Sequence, residues 1–260
     1  MPLLESTLEQ PTLVNAPRTN ARSALASSLS ARVALSFLLL SLLTRMALLA
    51  LSLPVAGGHP GNWIAAFLVG SISDLATLAF ALLPVALFEL LLPPSWPRAS
   101  ALLRGGAFAF ITFTLLFTAA SEVIFWQEFG SRFNFIAVDY LVYTREVLDN
   151  IRQSYPVGPL LALFAAMALV PAFFWRQHWR DANRISRRQR ATIVLALMVA
   201  GCLSWSLWNS ERPAVTRNHY ANELAGNGIY NFFSAYRNNE LNYSSYYPTL
   251  PAAELGSQLQ

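Results

Sequence analysis

At 260 residues, 55% of them hydrophobic and only 12% charged, the chain carries about half the charge of a soluble globular protein, and water is the wrong solvent for it. Its net charge of +4 would admit a nucleic-acid partner, but the arginines lie in short segments between apolar runs, with no basic groove and no interleaved stacking aromatics, so that partner is excluded. The one cysteine, Cys202, sits inside an apolar run, which rules out an intrachain disulfide and a thiolate metal cluster.

Residues 1–31 are polar, rich in Ser, Thr, Asn and Pro, and contain Arg18 and Arg22; they read as a disordered cytoplasmic leader. The apolar run behind them starts too late and is too long for the core of a cleaved signal peptide. A helix needs about 20 residues to cross the hydrocarbon of a bilayer, and five runs approach that length: residues 33–55, 75–92, 106–126, 157–175 and 191–208. Several are bounded by Trp, as an aromatic belt requires. The fold class is therefore all-α, a polytopic bundle of about five transmembrane helices over residues 32–208, with amphipathic segments at the interface.

Three stretches between and after these runs are less plain. Residues 63–73 (WIAAFLVGSIS) either extend the second span or lie flat on the outer surface, and the flat reading is preferred. Residues 127–156 intersperse apolar side chains with charges, which suits an amphipathic element on the membrane surface. In the tail, Ile229, Phe232, Phe233 and Tyr236 fall at helical spacing after the break at Gly226, Asn227 and Gly228, and form one apolar face. That face reads as an interfacial or domain-packing helix, with a substrate-contacting helix as the alternative.

Orientation follows from the arginines. Eleven of them precede the first run or lie between the second and third and between the fourth and fifth, whereas the six in the other loops are interleaved with Glu and Asp. The positive-inside rule then places the N-terminus in the cytoplasm and residues 209–260 outside.

An ionisable side chain at the centre of a membrane helix costs at least about 2.5 to 3.5 kcal/mol, so each one asks for a reason. Arg45, between Thr44 and Met46 in the first run, is too deep to snorkel. It is expected to pair with Glu89, Glu122 or Asp74, the alternative being the phosphate of an anionic lipid. Asp74, Glu122 and Glu89 lie near the ends of their runs and are expected to reach water.

Two strings carry a resemblance. HYANELAGNGIYNFFSAYRNNELNYSSYYPTL, residues 219–250, and FNFIAVDYLVYTREVLDNIRQSYPV, residues 133–157, resemble bacterial lipoteichoic acid synthase-like proteins, the phosphoglycerol transferases with a sulfatase-type domain. The five-run pattern, with Gly70, Ser71, Ile72, Ser73 and Asp74 entering the second run, looks like the membrane domain of that family. The resemblance implies a bacterial cytoplasmic membrane, membrane lipids with phosphatidylglycerol among them as partners, and a role as the anchor that positions an extracytoplasmic catalytic domain. In the family that domain holds a threonine nucleophile and a divalent metal, typically manganese. The chain ends in what would be the linker to it, so the alternative is a freestanding membrane partner or lipid-binding subunit of an envelope enzyme.

None of the family's catalytic motifs is present. His59, His178 and His219 are isolated, no Asp, Glu or His pair has metal-ligand spacing, and Thr216 and Thr249 have no base beside them in sequence. No cofactor, metal site or catalytic residue is expected within the chain. A small transporter is disfavoured, because neither an internal repeat nor a pair of broken helices is visible.

Overall fold

The computed structural model describes residues 28–57, 59–93, 95–142, 144–179, 185–207 and 215–237. The expected leader up to Ser27, residues 180–184 of the arginine-rich loop between the last two runs, residues 208–214, and the tail beyond Arg237 lie outside the described residues. In chain order the helices are α1 (Leu29–Ala56), α2 (Pro60–Leu91), α3 (Pro97–Phe129), α4 (Phe135–Val142), α5 (Thr144–Ser154), α6 (Val157–Phe174), α7 (Arg187–Leu207), α8 (His219–Leu224) and α9 (Gly228–Arg237). A single 3₁₀ turn, Trp175–Gln177, continues α6. Among the described residues there is no strand, and the fold they form is all-α, as expected.

Among the described residues, four helical segments, α1, α2, α3 and Val157–Gln177, are long and apolar enough to cross a membrane. The fifth expected span, α7, opens on a turn bearing Arg187, Arg188 and Arg190 and is not one of the four. At 28, 32 and 33 residues, the first three helices outrun the apolar stretches that signal them. At 1.5 Å per residue they reach roughly 42 to 50 Å, beyond the hydrocarbon alone, because the helix continues through polar turns at its ends.

Local chemistry sets those ends. Ser28 caps α1, its hydroxyl accepting from the Ala31 N–H at 3.1 Å, and α2 and α3 each begin on a proline, where the missing N–H has no partner to lose. The α3 helix stops at Gly130, whose φ of 63° lets its N–H turn back to the Trp126 carbonyl at 2.8 Å.

Residues 63–73 do not lie flat as a separate surface element. They form the first third of α2, which runs unbroken from Pro60. Nothing in WIAAFLVGSIS breaks a helix except Gly70, and the structure needs Gly70 for close packing, as described below.

The principal helix contacts run in the order α7, α2, α1, α3, α6, with α1 central. Leu29, Val33, Phe37, Leu78, Leu82, Val85, Phe108 and Trp179 form the main core. The outward faces are apolar instead of charged: Leu39, Leu43, Phe110, Leu169 and Phe174 are all more than 45% exposed. A helix apolar on every side suits a hydrocarbon solvent. Several hydroxyls on the same helices bond back one turn, as in Ser71 to Phe67 (2.8 Å), Thr77 to Ser73 (2.8 Å) and Thr118 to Thr114 (2.8 Å), so these need no water at that depth.

Candidate functional site

Buried charges gather in two groups, one at the Leu29 end of the bundle and one in the half toward Ala56. The second is centred on Arg45, 1% exposed, in the middle of α1. Its Nη2 donates to Asp74 Oδ2 at 2.7 Å and to the Gly70 carbonyl at 2.9 Å, both on α2. Its Nη1 donates to the carbonyls of Leu224 and Gly226. The guanidinium therefore bridges two membrane helices and the C-terminal end of α8, whose last carbonyls have no helical partner of their own. A Cβ built on Gly70 would overlap this guanidinium, so the arginine can sit there only because residue 70 is glycine.

The turn between α8 and α9 is held from α2 as well. Ser73 Oγ donates to the Ala225 carbonyl at 2.7 Å, and Asn227 Nδ2 donates to Asp74 Oδ1 at 2.7 Å. Asn218 caps α8 through its carbonyl oxygen while its amide donates to the Ala56 carbonyl at 3.0 Å, tying the start of the tail to the end of α1. Residues 218–237 thus form a helical hairpin whose tip is buried in the bundle: Ala221, Leu224, Ala225 and Asn227 are all less than 4% exposed.

Glu122 and Arg132 complete this end. Arg132, 2% exposed in the loop after α3, places Nη1 3.0 Å from Glu122 Oε1, and its backbone N–H donates to Glu223 Oε2 at 3.0 Å. Glu122 also abuts Gly228 at the start of α9, where a Cβ would run into the carboxylate. A carboxylate beside a helix N-terminus is the favourable sign of charge.

At the Leu29 end, Glu89 of α2 accepts from the N–H groups of Leu29 (2.9 Å) and Ser30 (3.1 Å) and from the Ser30 hydroxyl (2.6 Å). It lies 3.6 Å from Arg104 Nε. Arg104 Nη1 reaches the Trp179 carbonyl at 3.2 Å, and Arg190 of α7 donates to the carbonyls of Glu89 (2.8 Å) and Leu92 (3.2 Å). The Arg32 guanidinium lies 4.4 Å from the Trp175 ring centre.

Several expectations change. Asp74, Glu122 and Glu89 do not reach water: they are 5%, 5% and 6% exposed, because the tail hairpin covers Asp74 and Glu122 while the start of α1, Arg104 and Arg190 enclose Glu89. Of Arg45's three expected carboxylate partners, the structure brings it to Asp74. The face of Ile229, Phe232, Phe233 and Tyr236 is divided. Ile229 packs on the main core and Phe232 meets the Phe133 ring at 6.2 Å, whereas Phe233 and Tyr236 are 65% and 61% exposed.

Arg132, Ser73, Asn227 and Glu223 escaped sequence reasoning. Arg132 looked like one more loop charge offset by acidic neighbours, and the signal at Asn227, the Gly226 to Gly228 break, marks a turn without saying what the turn docks on. No group of three or more His, Cys, Asp or Glu side chains able to hold a metal occurs among the described residues. No family model, curated protein or solved structure matches this chain.

Proposed function

We propose that this chain is a membrane anchor that holds its own C-terminal hairpin in one pose at the outer membrane face and so positions what the hairpin leads to. The observation that carries this reading is the set of side chains binding the hairpin tip from within the bundle: Arg45, Ser73 and Asp74. A flexible tether would need none of them, and each costs desolvation that only a defined pose offsets. By confining a catalytic unit near lipid headgroups, an anchor raises the effective concentration of its substrate.

The finer assignment is a lipoteichoic acid synthase-like anchor in a bacterial cytoplasmic membrane, near phosphatidylglycerol, with α7 as fifth span and the N-terminus in the cytoplasm. The two resembling strings and the arginine distribution support it. Translating the DNA beyond the codon for Gln260 tests it. A continuing frame encoding an alkaline-phosphatase-type domain, with a threonine nucleophile and Asp and His metal ligands, is the expected result. A stop codon followed by unrelated sequence would remove the anchor reading and leave the freestanding partner.

A further inference from the structure

Arg32 lies in the first turn of α1, at the end of the bundle opposite the hairpin. Its guanidinium carbon sits 4.4 Å from the Trp175 ring centre and 5.0 Å from that of Trp179. Both rings are fixed from behind: Phe108 packs on them at 5.1 and 5.5 Å, and Trp179 Nε1 donates to the Ala172 carbonyl at 3.3 Å. Arg32 Nε is buried and makes no hydrogen bond, and among the described residues no carboxylate lies at ion-pair distance from the guanidinium. Glu89, the buried carboxylate of this end, is engaged by Leu29, Ser30 and Arg104. The cation thus has two rings for its face and no anion for its edge. Stacking leaves the N–H groups in the guanidinium plane, and the residue is only half-buried, so its Nη donors can be reached from outside the bundle.

Depth decides what reaches them. The 28 residues of α1 rise about 42 Å, so hydrocarbon of about 30 Å centred on the helix leaves about 6 Å at each end. Arg32 lies about 5 Å from the helix start, at the boundary between headgroups and acyl chains. Leu35 and Leu39 follow on the same face of α1 and are 61% and 53% exposed. That face presents a cation at headgroup depth and bare apolar side chains below it. The anion available at such a depth is a lipid phosphate, and a guanidinium edge matches two of its oxygens. Among the described residues no unengaged carboxylate stands beside Arg32 to receive a choline or ethanolamine cation, so the site favours a lipid of net negative charge.

We propose that Arg32, stacked on Trp175 and Trp179, binds the phosphodiester of an anionic phospholipid in the leaflet at the Leu29 end, with an acyl chain along Leu35 and Leu39. This inference needs only that the bundle sits in a bilayer; neither the anchor reading nor the orientation enters it.

The test uses the purified full chain in detergent, equilibrated with equal amounts of dioleoyl phosphatidylglycerol and phosphatidylcholine, with retained lipid counted by native mass spectrometry. Phosphatidylglycerol is expected to be retained about tenfold better, the order of one hydrogen bond to a charged group. Arg32→Gln should bring the two lipids to similar retention, whereas Arg188→Gln, at an exposed position of the same end, should leave the preference in place. Equal retention by the unaltered chain, a preference that survives Arg32→Gln, or one that Arg188→Gln also removes would overturn the proposal. Where Arg32→Gln fails to run as a single folded species, phosphatidylglycerol with a photoreactive headgroup decides on the unaltered chain: cross-links within residues 28–39 or 172–179 are expected, and cross-links only elsewhere would overturn it. Soluble glycerophosphoglycerol competing as well as the intact lipid would overturn the assignment to a membrane lipid.

Discussion

Arg45 Nη2 and Asp74 Oδ2 lie 2.7 Å apart with the two side chains 1% and 8% exposed, and through this pair the first two membrane helices and the tail share one hydrogen-bonded network. A buried ion pair is weak evidence of net stabilisation, but removing one partner strands the other in a low dielectric, which typically costs about 3 to 5 kcal/mol. Asp74→Ala is therefore expected to destabilise the chain by about that amount. Asp74→Asn should cost less, because its amide still offers an acceptor to Arg45. Guanidinium unfolding of the purified chain measures both; a loss under about 1 kcal/mol for Asp74→Ala would show that the pair is not buried in this way.

Gly70→Ala acts on the same network without removing a charge. The new Cβ would occupy the space of the Arg45 guanidinium, so the arginine must leave the carbonyls of Leu224 and Gly226. The hairpin tip then loses its strongest donor, and Arg217 and Arg237, at either end of the hairpin, should become faster trypsin sites while the membrane helices stay intact. Unchanged cleavage rates at both arginines would mean that the hairpin is held without Arg45.

The membrane helices were legible in the sequence because hydrocarbon imposes one simple demand, a long apolar run, and residues 33–55, 106–126 and 157–175 meet it. Residues 63–73 were misread since Gly70, Ser71 and Ser73 look like polar interruptions, whereas Ser71 and Ser73 bond to carbonyls of their own helix and Gly70 admits a guanidinium. The charged groups were legible as individuals and not as pairs. Arg45 announced itself by depth, but Asp74 and Glu122 were placed in water because a one-dimensional reading has no view of residues 218–237, more than 90 positions later, folding back over them. Partner choice across such separations is a property of packing, and no local period encodes it.

At the opposite end, Glu89 caps α1 from another helix. Its carboxylate takes two of the N–H groups that open α1 and lies near Arg104. Glu89→Gln keeps an acceptor but loses the charge that favours a helix N-terminus, a loss of about 1 to 2 kcal/mol. Glu89→Leu removes the acceptors altogether and should cost more. Hydrogen exchange at Leu29 and Ser30 provides a local readout: it should accelerate in both variants, most in Glu89→Leu, and equal protection in all three proteins would refute the cap.

Orientation can be read with reporter fusions. With the N-terminus in the cytoplasm and α7 crossing, alkaline phosphatase fused after Arg188 should be inactive and the same enzyme fused after Arg237 active. Activity at both sites, or at neither, would mean that α7 does not cross, as its arginine-bearing first turn would then explain. The inverse pattern would reverse the whole bundle.

The chain by itself is expected to turn over no phosphodiester. Phosphoryl transfer needs a positioned nucleophile and a concentration of positive charge against several developing negative oxygens, supplied by metal ions or clustered cations. The Thr216 hydroxyl is directed at the Asn218 carbonyl and Asn222 Oδ1, 3.1 Å from each, with no base beside it among the described residues. The two buried arginines at that end, Arg45 and Arg132, are matched against Asp74 and Glu122, so little positive charge is left for a transition state. In liposomes containing phosphatidylglycerol and manganese, the purified chain should release no diacylglycerol above a protein-free control. Sustained release abolished by Arg132→Gln or by Thr216→Ala would place an active site within these residues and end the anchor reading.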